Sequence, residues 1–158
     1  MKIVITAPRS LGLLRALEAQ FAGCRDVSIV DLDIMAVPAA DAVVSPANSA
    51  GIMSGGVDQV FVYTFGQQLE DRVQARIRAD HRGWLPVGQA FVLESLGSHE
   101  ERPLQPSSVR FVVVAPTMGT PGPVNGTQNA CAAFRAALHA VSAFNAEHPG
   151  SIETLACP

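Results

Sequence analysis

The segment Ser45–Asp58 has the composition of a loop that could hold an anion. It reads Ser-Pro-Ala-Asn-Ser-Ala-Gly-Ile-Met-Ser-Gly-Gly-Val-Asp and connects an apolar run to a helical pattern. Gly55 and Gly56 would let the backbone approach a ligand closely, because glycine has no Cβ. The first turn of the following helix would offer unpaired N–H groups and the positive end of the helix dipole, which suit a diphosphate. The side chain of Asn48 can both donate and accept a hydrogen bond, as contact with a sugar hydroxyl requires.

Residue types alone leave two interpretations of this loop equally open. The loop could form a ligand site, or it could be a plain surface turn that leads into a capped helix.

Other catalytic patterns are missing from the sequence. It contains no Walker A sequence, no GxGxxG, no HExxH and no GxSxG elbow. None of the histidines is spaced for a metal or paired with a nucleophile: His81, His99, His139 and His148. The three cysteines lie far apart without a CxxC pair, which is typical of reduced thiols in a cytoplasmic protein: Cys24, Cys131 and Cys157. We therefore predict a protein without a metal or a cofactor.

Length and charge narrow the class further. The 158 residues suit one domain over 1–158, and 48% hydrophobic residues can bury a sizeable core. The formal net charge of -3 argues against binding to a nucleic-acid backbone, which usually needs a basic patch. No apolar run approaches the length of a membrane span, and the residues before Pro8 are too few for a secretory signal. We expect a cytoplasmic protein with no membrane partner.

The apolar pattern alternates between short strands and longer helices. β-Branched runs predict strands over residues 3–5, 27–30, 42–44, 90–93, 111–115 and 152–157. The first helix would be capped by Ser10 and bury one face, with Leu13, Leu14, Leu17 and Phe21. A long helix would carry a stripe with a spacing of four: Phe61, Phe65, Leu69, Val73 and Ile77. The last helix would bury Cys131, Phe134, Leu138 and Val141. This alternation predicts an α/β domain with a mainly parallel sheet.

Two longer connections join these elements. The segment 97–108 has the composition of a surface loop. The segment 119–126 follows the carboxyl end of a strand, where open α/β sheets place ligands, so it is as consistent with lining a pocket as with a surface turn.

The loop and its flanks resemble the macro domain family, most closely its short stand-alone members. Ala47-Asn48-Ser49 and Gly55-Gly56-Val57-Asp58 are similar to that family's first binding loop. Upstream, Leu32-Asp33-Ile34 resembles the family's Gly-Asp-Ile, and downstream Leu85–Ala90 resembles its Pro-x-Gly-x-Ala turn. Residues 111–116 resemble the next core strand, and the pieces follow in the family's order.

This resemblance implies a three-layer α/β/α fold around a mixed, mainly parallel sheet of about six strands. The unit over 3–21 would supply a strand and a helix that other members add at the C-terminus. The implied ligand is ADP-ribose or a related nucleotide, free or attached to an ADP-ribosylated protein. The implied ligand-binding residues are Asp33 for the adenine amino group, Ile34 beside it, Asn48 at the distal ribose with Ala47 before it, Gly55, Gly56 and Val57 around the diphosphate and the distal ribose, and Asp58 near the distal ribose. The alternative role of Asp58 is that of a helix-start carboxylate stabilised by the helix dipole, which is the role that residue types favour.

Departures from the family pattern leave the activity open. Ser45-Pro46 replaces the usual Asn-Ala, and Val62 stands where many hydrolases of the family carry histidine. In the family a second Gly-rich loop follows a strand such as 152–157, and that loop lies outside this sequence. We therefore expect the diphosphate to be contacted from one side, unless 119–126 takes the place of that loop.

Three functions fit these residues. The first is binding of ADP-ribose. The second is slow ADP-ribosyl hydrolysis or O-acyl-ADP-ribose deacylation, with Asn48 and Asp58 as catalytic candidates that orient a water. The third is a pocket-inactive structural or protein-interaction module.

Overall fold

The computed structural model describes residues 1–97 and 103–158. That part of the chain holds six strands and four α-helices: β1 Lys2–Thr6, α1 Leu11–Gln20, β2 Val27–Val30, β3 Ala42–Ser45, α2 Gly56–Phe65, α3 Gln67–His81, β4 Phe91–Glu94, β5 Phe111–Val114, α4 Asn129–Glu147 and β6 Thr154–Cys157. A 3-10 turn, Ile34–Ala36, follows β2. All six predicted strands are present. The predicted surface loop over 97–108 lies partly outside the described residues, and His99 lies wholly outside them.

The six strands form one sheet in the order β2-β1-β6-β3-β5-β4. Every neighbouring pair is parallel except β4 and β5, which run antiparallel. The predicted mixed, mainly parallel sheet of about six strands is therefore confirmed. The strand β1 lies between β2 and β6, so the N-terminal unit is part of the sheet and not an appendage to it.

Helices cover both faces of the sheet. Successive residues of a strand point to opposite faces, so Val43 and Val112 belong to one apolar cluster with α2 and α3, while Val44 and Val113 belong to another with α4. The second cluster also receives Leu17 of α1 and several partly buried residues of α4. These two cores confirm the three-layer α/β/α architecture. Among the described residues, no helix combines the length and the apolarity that crossing a membrane would need.

The long helix that the spacing of four predicts is in fact two helices. Gly66 has φ 93° and ψ 164°, which no α-helix accommodates, and it separates α2 from α3. Phe61 and Phe65 from α2 join Leu69 and Val73 from α3 in one cluster, so the apolar spacing continues across the break.

The first helix departs from the prediction in two ways. Ser10 precedes α1 at its N-cap position, but within residues 1–97 its side chain makes no capping hydrogen bond. Leu13 does not lie on the core face, because its side chain is 50% exposed and α1 has no fully buried residue. Only Leu17, together with Phe21 just after the helix, packs against the core.

Candidate ligand-binding site

A crevice opens where the carboxyl ends of three neighbouring strands meet. The chain leaves β1 into α1 on one face of the sheet and leaves β3 into α2 on the other, with β6 between these strands. Ligands of open α/β sheets bind at such switch points. Two cavities of about 780 Å³ and about 280 Å³ lie there, and both are lined by Gly56 and Val57. The two cavities therefore adjoin at the beginning of α2.

The larger cavity holds the two residues predicted to contact adenine. Asp33 is exposed at the start of the 3-10 turn and lines the cavity. Ile34 lines it too, but its side chain is buried in the core and so anchors the turn. The remaining lining comes mainly from apolar residues of the β1–α1 connection and of α2, with Pro158 after β6.

The smaller cavity gathers the other predicted site residues. Ala47, Asn48 and Asp58 line it together with Gly55, Gly56 and Val57. Pro121 lines it as well, so the segment 119–126 does contribute to the crevice. Asp33 and Ile34 lie in the larger cavity alone, so the predicted site residues are divided between two connected spaces.

Gly56 begins α2 with a backbone that favours glycine. Its φ is 60°, in the left-handed region, and a Cβ built there would meet no atom of the described residues within 4 Å. The space beside Gly56 therefore belongs to the cavities. Gly55 occupies the N-cap position and has no side chain that could cap the helix. The amides of the first helical turn can therefore donate hydrogen bonds to a ligand in that space.

Asn48 uses its side chain to shape the loop. Its Nδ2 donates to the carbonyl of Ile52 (2.7 Å), and its Oδ1 accepts from the amides of Ala50 and Ile52 (3.2 Å each). The residue is buried. Such bonds fix the conformation of residues 48–52 and orient the amide plane at the wall of the smaller cavity.

Neighbouring elements hold the same loop in place. The amide of Ser49 donates to the carbonyl of Met118 (2.9 Å), and the carbonyl of Ser49 accepts from Leu85 (2.8 Å). The amide of Met53 donates to Oε1 of Glu70 on α3 (3.2 Å). Position 51 favours glycine, because its φ is 72° and a Cβ there would come within 2.8 Å of the Ile77 side chain. The loop is thus tied to α3 and to the segments that follow α3 and β5.

Asp58 is a buried carboxylate with a dedicated partner. The hydroxyl of Ser45 donates to its Oδ1 over 2.6 Å, and both side chains are buried. Burial raises the pKa of Asp58 to about 6; the Ser45 hydrogen bond opposes this effect, and the negative charge of Glu70 adds to it. Ser45, which sequence comparison treats as a departure, is therefore the residue that places the Asp58 carboxyl. Its position at the end of a buried strand is the signal that could have revealed this role.

The sequence model of the family described as Macro domain matches residues 44–158. The chain belongs to the macro domain family. Residues 1–43 precede the matched segment, so Asp33 and the β1–α1 unit lie outside it.

Two proteins are similar to this macro domain in sequence. A protein of Aquifex aeolicus (strain VF5) described as uncharacterised is 34% identical over 113 residues, which are 72% of this chain and 59% of that protein. Another, of Aeropyrum pernix (strain ATCC 700893 / DSM 11879 / JCM 9820 / NBRC 100138 / K1), is 36% identical over 119 residues, 75% of this chain and 52% of that protein. The chain thus spans little more than half the length of these relatives.

Two solved structures are similar to this chain in fold. A macrodomain mutant of Oceanobacillus iheyensis with ADPR is 19% identical, with a TM-score of 0.58 over 80% of this chain and 61% of that chain. Thermosipho africanus DarTG in complex with ADP-ribose is 11% identical, with a TM-score of 0.53 over 97% of this chain and 43% of that chain.

Proposed function

We propose that this macro domain binds ADP-ribose, free or attached to a protein, across the two adjoining cavities. The observation that carries the proposal is their meeting point at Gly56 and Val57, where α2 begins. A diphosphate at that point would accept hydrogen bonds from the first amides of the helix and meet the positive end of its dipole. The adenosine and the distal ribose of the ligand would then extend in opposite directions, one into each cavity.

The polar groups of each cavity suit the end assigned to it. Asp33 can accept a hydrogen bond from the amino group of adenine, while Ile34 and the apolar residues around it suit the faces of the base. The smaller cavity offers the side chains of Asn48 and Asp58 to the hydroxyls of the distal ribose. Two proteins of similar fold support ADP-ribose as the ligand: the Oceanobacillus iheyensis macrodomain mutant is described with ADPR, and Thermosipho africanus DarTG is described in complex with ADP-ribose.

The test is a calorimetric titration of the protein with ADP-ribose, with AMP and ribose 5-phosphate as fragments. We expect ADP-ribose to bind more tightly than either fragment, because it fills both cavities and bridges them with its diphosphate. Absence of binding heat with a folded protein at several temperatures would contradict the proposal. That result would favour the alternative of a pocket-inactive interaction module.

A second candidate activity is hydrolysis of O-acyl-ADP-ribose or of an ADP-ribosylated protein. A general base works best when its pKa lies near the working pH, and the pKa of Asp58 is raised to about 6 by burial. In deacylation, a water held by Asn48 and Asp58 would attack the acyl carbonyl and give a proton to the Asp58 carboxylate. That proton would pass to the departing ribose oxygen, so that free ADP-ribose and a carboxylic acid result.

The Asp58→Asn variant tests this chemistry, because asparagine keeps the shape of the side chain but cannot accept the proton. We expect any turnover of O-acetyl-ADP-ribose to fall by about 10²- to 10⁴-fold while ADP-ribose still binds. Turnover by Asp58→Asn at the rate of the unmodified protein would exclude Asp58 as the base. The exposed Asp71→Asn on α3 is the control for the change of charge.

A further inference from the structure

The N-terminal unit contributes directly to the larger cavity. Ala7 and Pro8 after β1, and Ser10 and Leu13 at the start of α1, line it together with Asp33. These residues precede residue 44, where the match to the macro domain family begins. They are therefore features of this chain that the family match does not describe.

Among these residues, Leu13 has a large apolar side chain that is not buried in the core. Its spacing with Leu17 and Phe21 predicts a core position, yet half of its side chain is exposed. It lines the cavity, as does Val60 of α2, which is 41% exposed. Exposed aliphatic side chains at one cavity can be covered by a ligand with flat apolar faces, and this covering is favourable in proportion to the area removed from water.

The backbone that carries this wall is fixed to the strand that leads to Asp33. The amide of Ala7 donates to the carbonyl of Val30 (2.9 Å), and the amide of Arg9 donates to Oδ1 of Asp31 (2.8 Å). Arg9 has φ 58°, a left-handed conformation that is costly for a residue with a Cβ. The surrounding bonds maintain it, so the turn is held in one shape next to Asp33.

We propose that the cavity-lining residues of the β1–α1 connection, together with Leu13 of α1, form the wall against which the nucleobase of the ligand packs, with Leu13 in contact with the face of the base. The proposal rests on the proposed binding of ADP-ribose and adds a role for the N-terminal unit in it. A purine fits the chemistry best, because the cavity offers apolar side chains to its faces and the carboxylate of Asp33 to an amino group on its edge.

The test compares two leucines of the same helix. Leu13→Asn changes the cavity wall, whereas Leu11→Asn changes a residue that is 60% exposed and does not line the cavity. Since α1 has no fully buried residue, both variants should fold, which thermal unfolding will verify. Binding of ADP-ribose, AMP and ribose 5-phosphate is followed by the NMR shifts of backbone amides, which also report weak ligands.

We expect Leu13→Asn to weaken ADP-ribose and AMP by about three- to tenfold, the amount that covering part of one leucine supplies. Leu11→Asn should bind all three ligands like the unmodified protein, and Leu13→Met, which keeps the apolar volume, should restore affinity. Ribose 5-phosphate, which has no base, should be unaffected by any variant.

Two outcomes would overturn the inference while leaving the proposed function intact. The first is that the unmodified protein and Leu13→Asn bind ADP-ribose equally. The second is that Leu13→Asn weakens ribose 5-phosphate as much as AMP. Failure of the unmodified protein to bind ADP-ribose would instead overturn the proposed function and this inference with it.

Discussion

The Asp33 carboxylate is the residue on which recognition of adenine depends in our proposal. It is exposed and lines the larger cavity, so its removal should change binding and not stability. We expect Asp33→Ala to weaken ADP-ribose by about tenfold to a hundredfold, the loss of one hydrogen bond to a charged group. Asp26→Ala, which removes another exposed charge just before β2, is the matched control. Equal affinity of a folded Asp33→Ala for ADP-ribose would refute the assignment.

Asn48 and Asp58 illustrate how far residue types predict a site. Their positions follow from the resemblance to the macro domain family, and the structure places both beside the smaller cavity. Their contacts could not be predicted, because Asn48 bonds to its own loop and Asp58 to Ser45 on another element. Spacing along the chain indicates which residues share a loop, but not which donor and acceptor atoms meet. The contacts of Asn48 and Asp58 with a ligand therefore stay predictions.

The beginning of α2 is the element that should bind the diphosphate. A Gly56→Glu side chain would enter the space beside the helix start and place a negative charge there, so we expect loss of detectable ADP-ribose binding. Gly23→Glu is the matched control, because Gly23 also has a positive φ (90°) with no atom of the described residues within 4 Å of its Cβ, and it lines neither cavity.

Both variants impose a similar backbone strain, so their thermal stabilities should fall by similar amounts. ADP-ribose binding should be lost in Gly56→Glu alone. If Gly56→Glu binds like the unmodified protein, α2 does not carry the diphosphate.

The helices show where sequence patterns stop being informative. A glycine inside a helix costs only about 1 kcal/mol relative to alanine, so Gly66 does not by itself predict a break. The apolar spacing hides the break as well, because α2 and α3 pack into the same core on either side of Gly66. The pattern of α1 is misleading for a different reason, since Leu13 faces a cavity that no local sequence can reveal.

The fold class of the whole molecule could be predicted from the sequence, but the order of strands in its sheet could not. Alternating strands and helices predict the layered α/β fold, and the order of family motifs predicts the position of the binding loop. The order of strands in the sheet depends on pairings between distant segments, such as Lys2–Thr6 with Thr154–Cys157, for which the sequence gives no local signal. That pairing brings the N-terminal unit to the crevice, so the composition of the candidate ligand site depends on the topology of the sheet.

Burial of Asp58 should also make the stability of the whole protein depend on pH. The ordinary pKa of this group is 3.8, and burial raises it to about 6 in the folded protein. Well below pH 4 the Asp58 carboxyl is protonated in both the folded and the unfolded chain, so its burial does not destabilise the folded protein by burying a charge. Between about pH 4 and pH 6 the unfolded chain ionises first, so the free energy of unfolding decreases as the pH rises. From about pH 7 upward the loss is complete and amounts to about 3 kcal/mol.

Asp58→Asn isolates this effect from other carboxylates. One of these is Asp41. Burial raises its pKa, but hydrogen bonds from Thr154, Glu153 and Arg110 outweigh this effect, so its pKa is lowered. Its contribution to the pH dependence of stability therefore has the opposite sign. Denaturant unfolding of both proteins at pH 4 to 8 gives the difference in their free energies of unfolding. This difference should shift in favour of the variant by about 2–3 kcal/mol between pH 4 and 6 and then level off. A constant difference over that interval would mean that Asp58 ionises in the folded protein as it does in the unfolded one. The expected result would mean that the chain keeps a destabilising carboxylate at its candidate ligand site, a cost that proteins accept where function requires it.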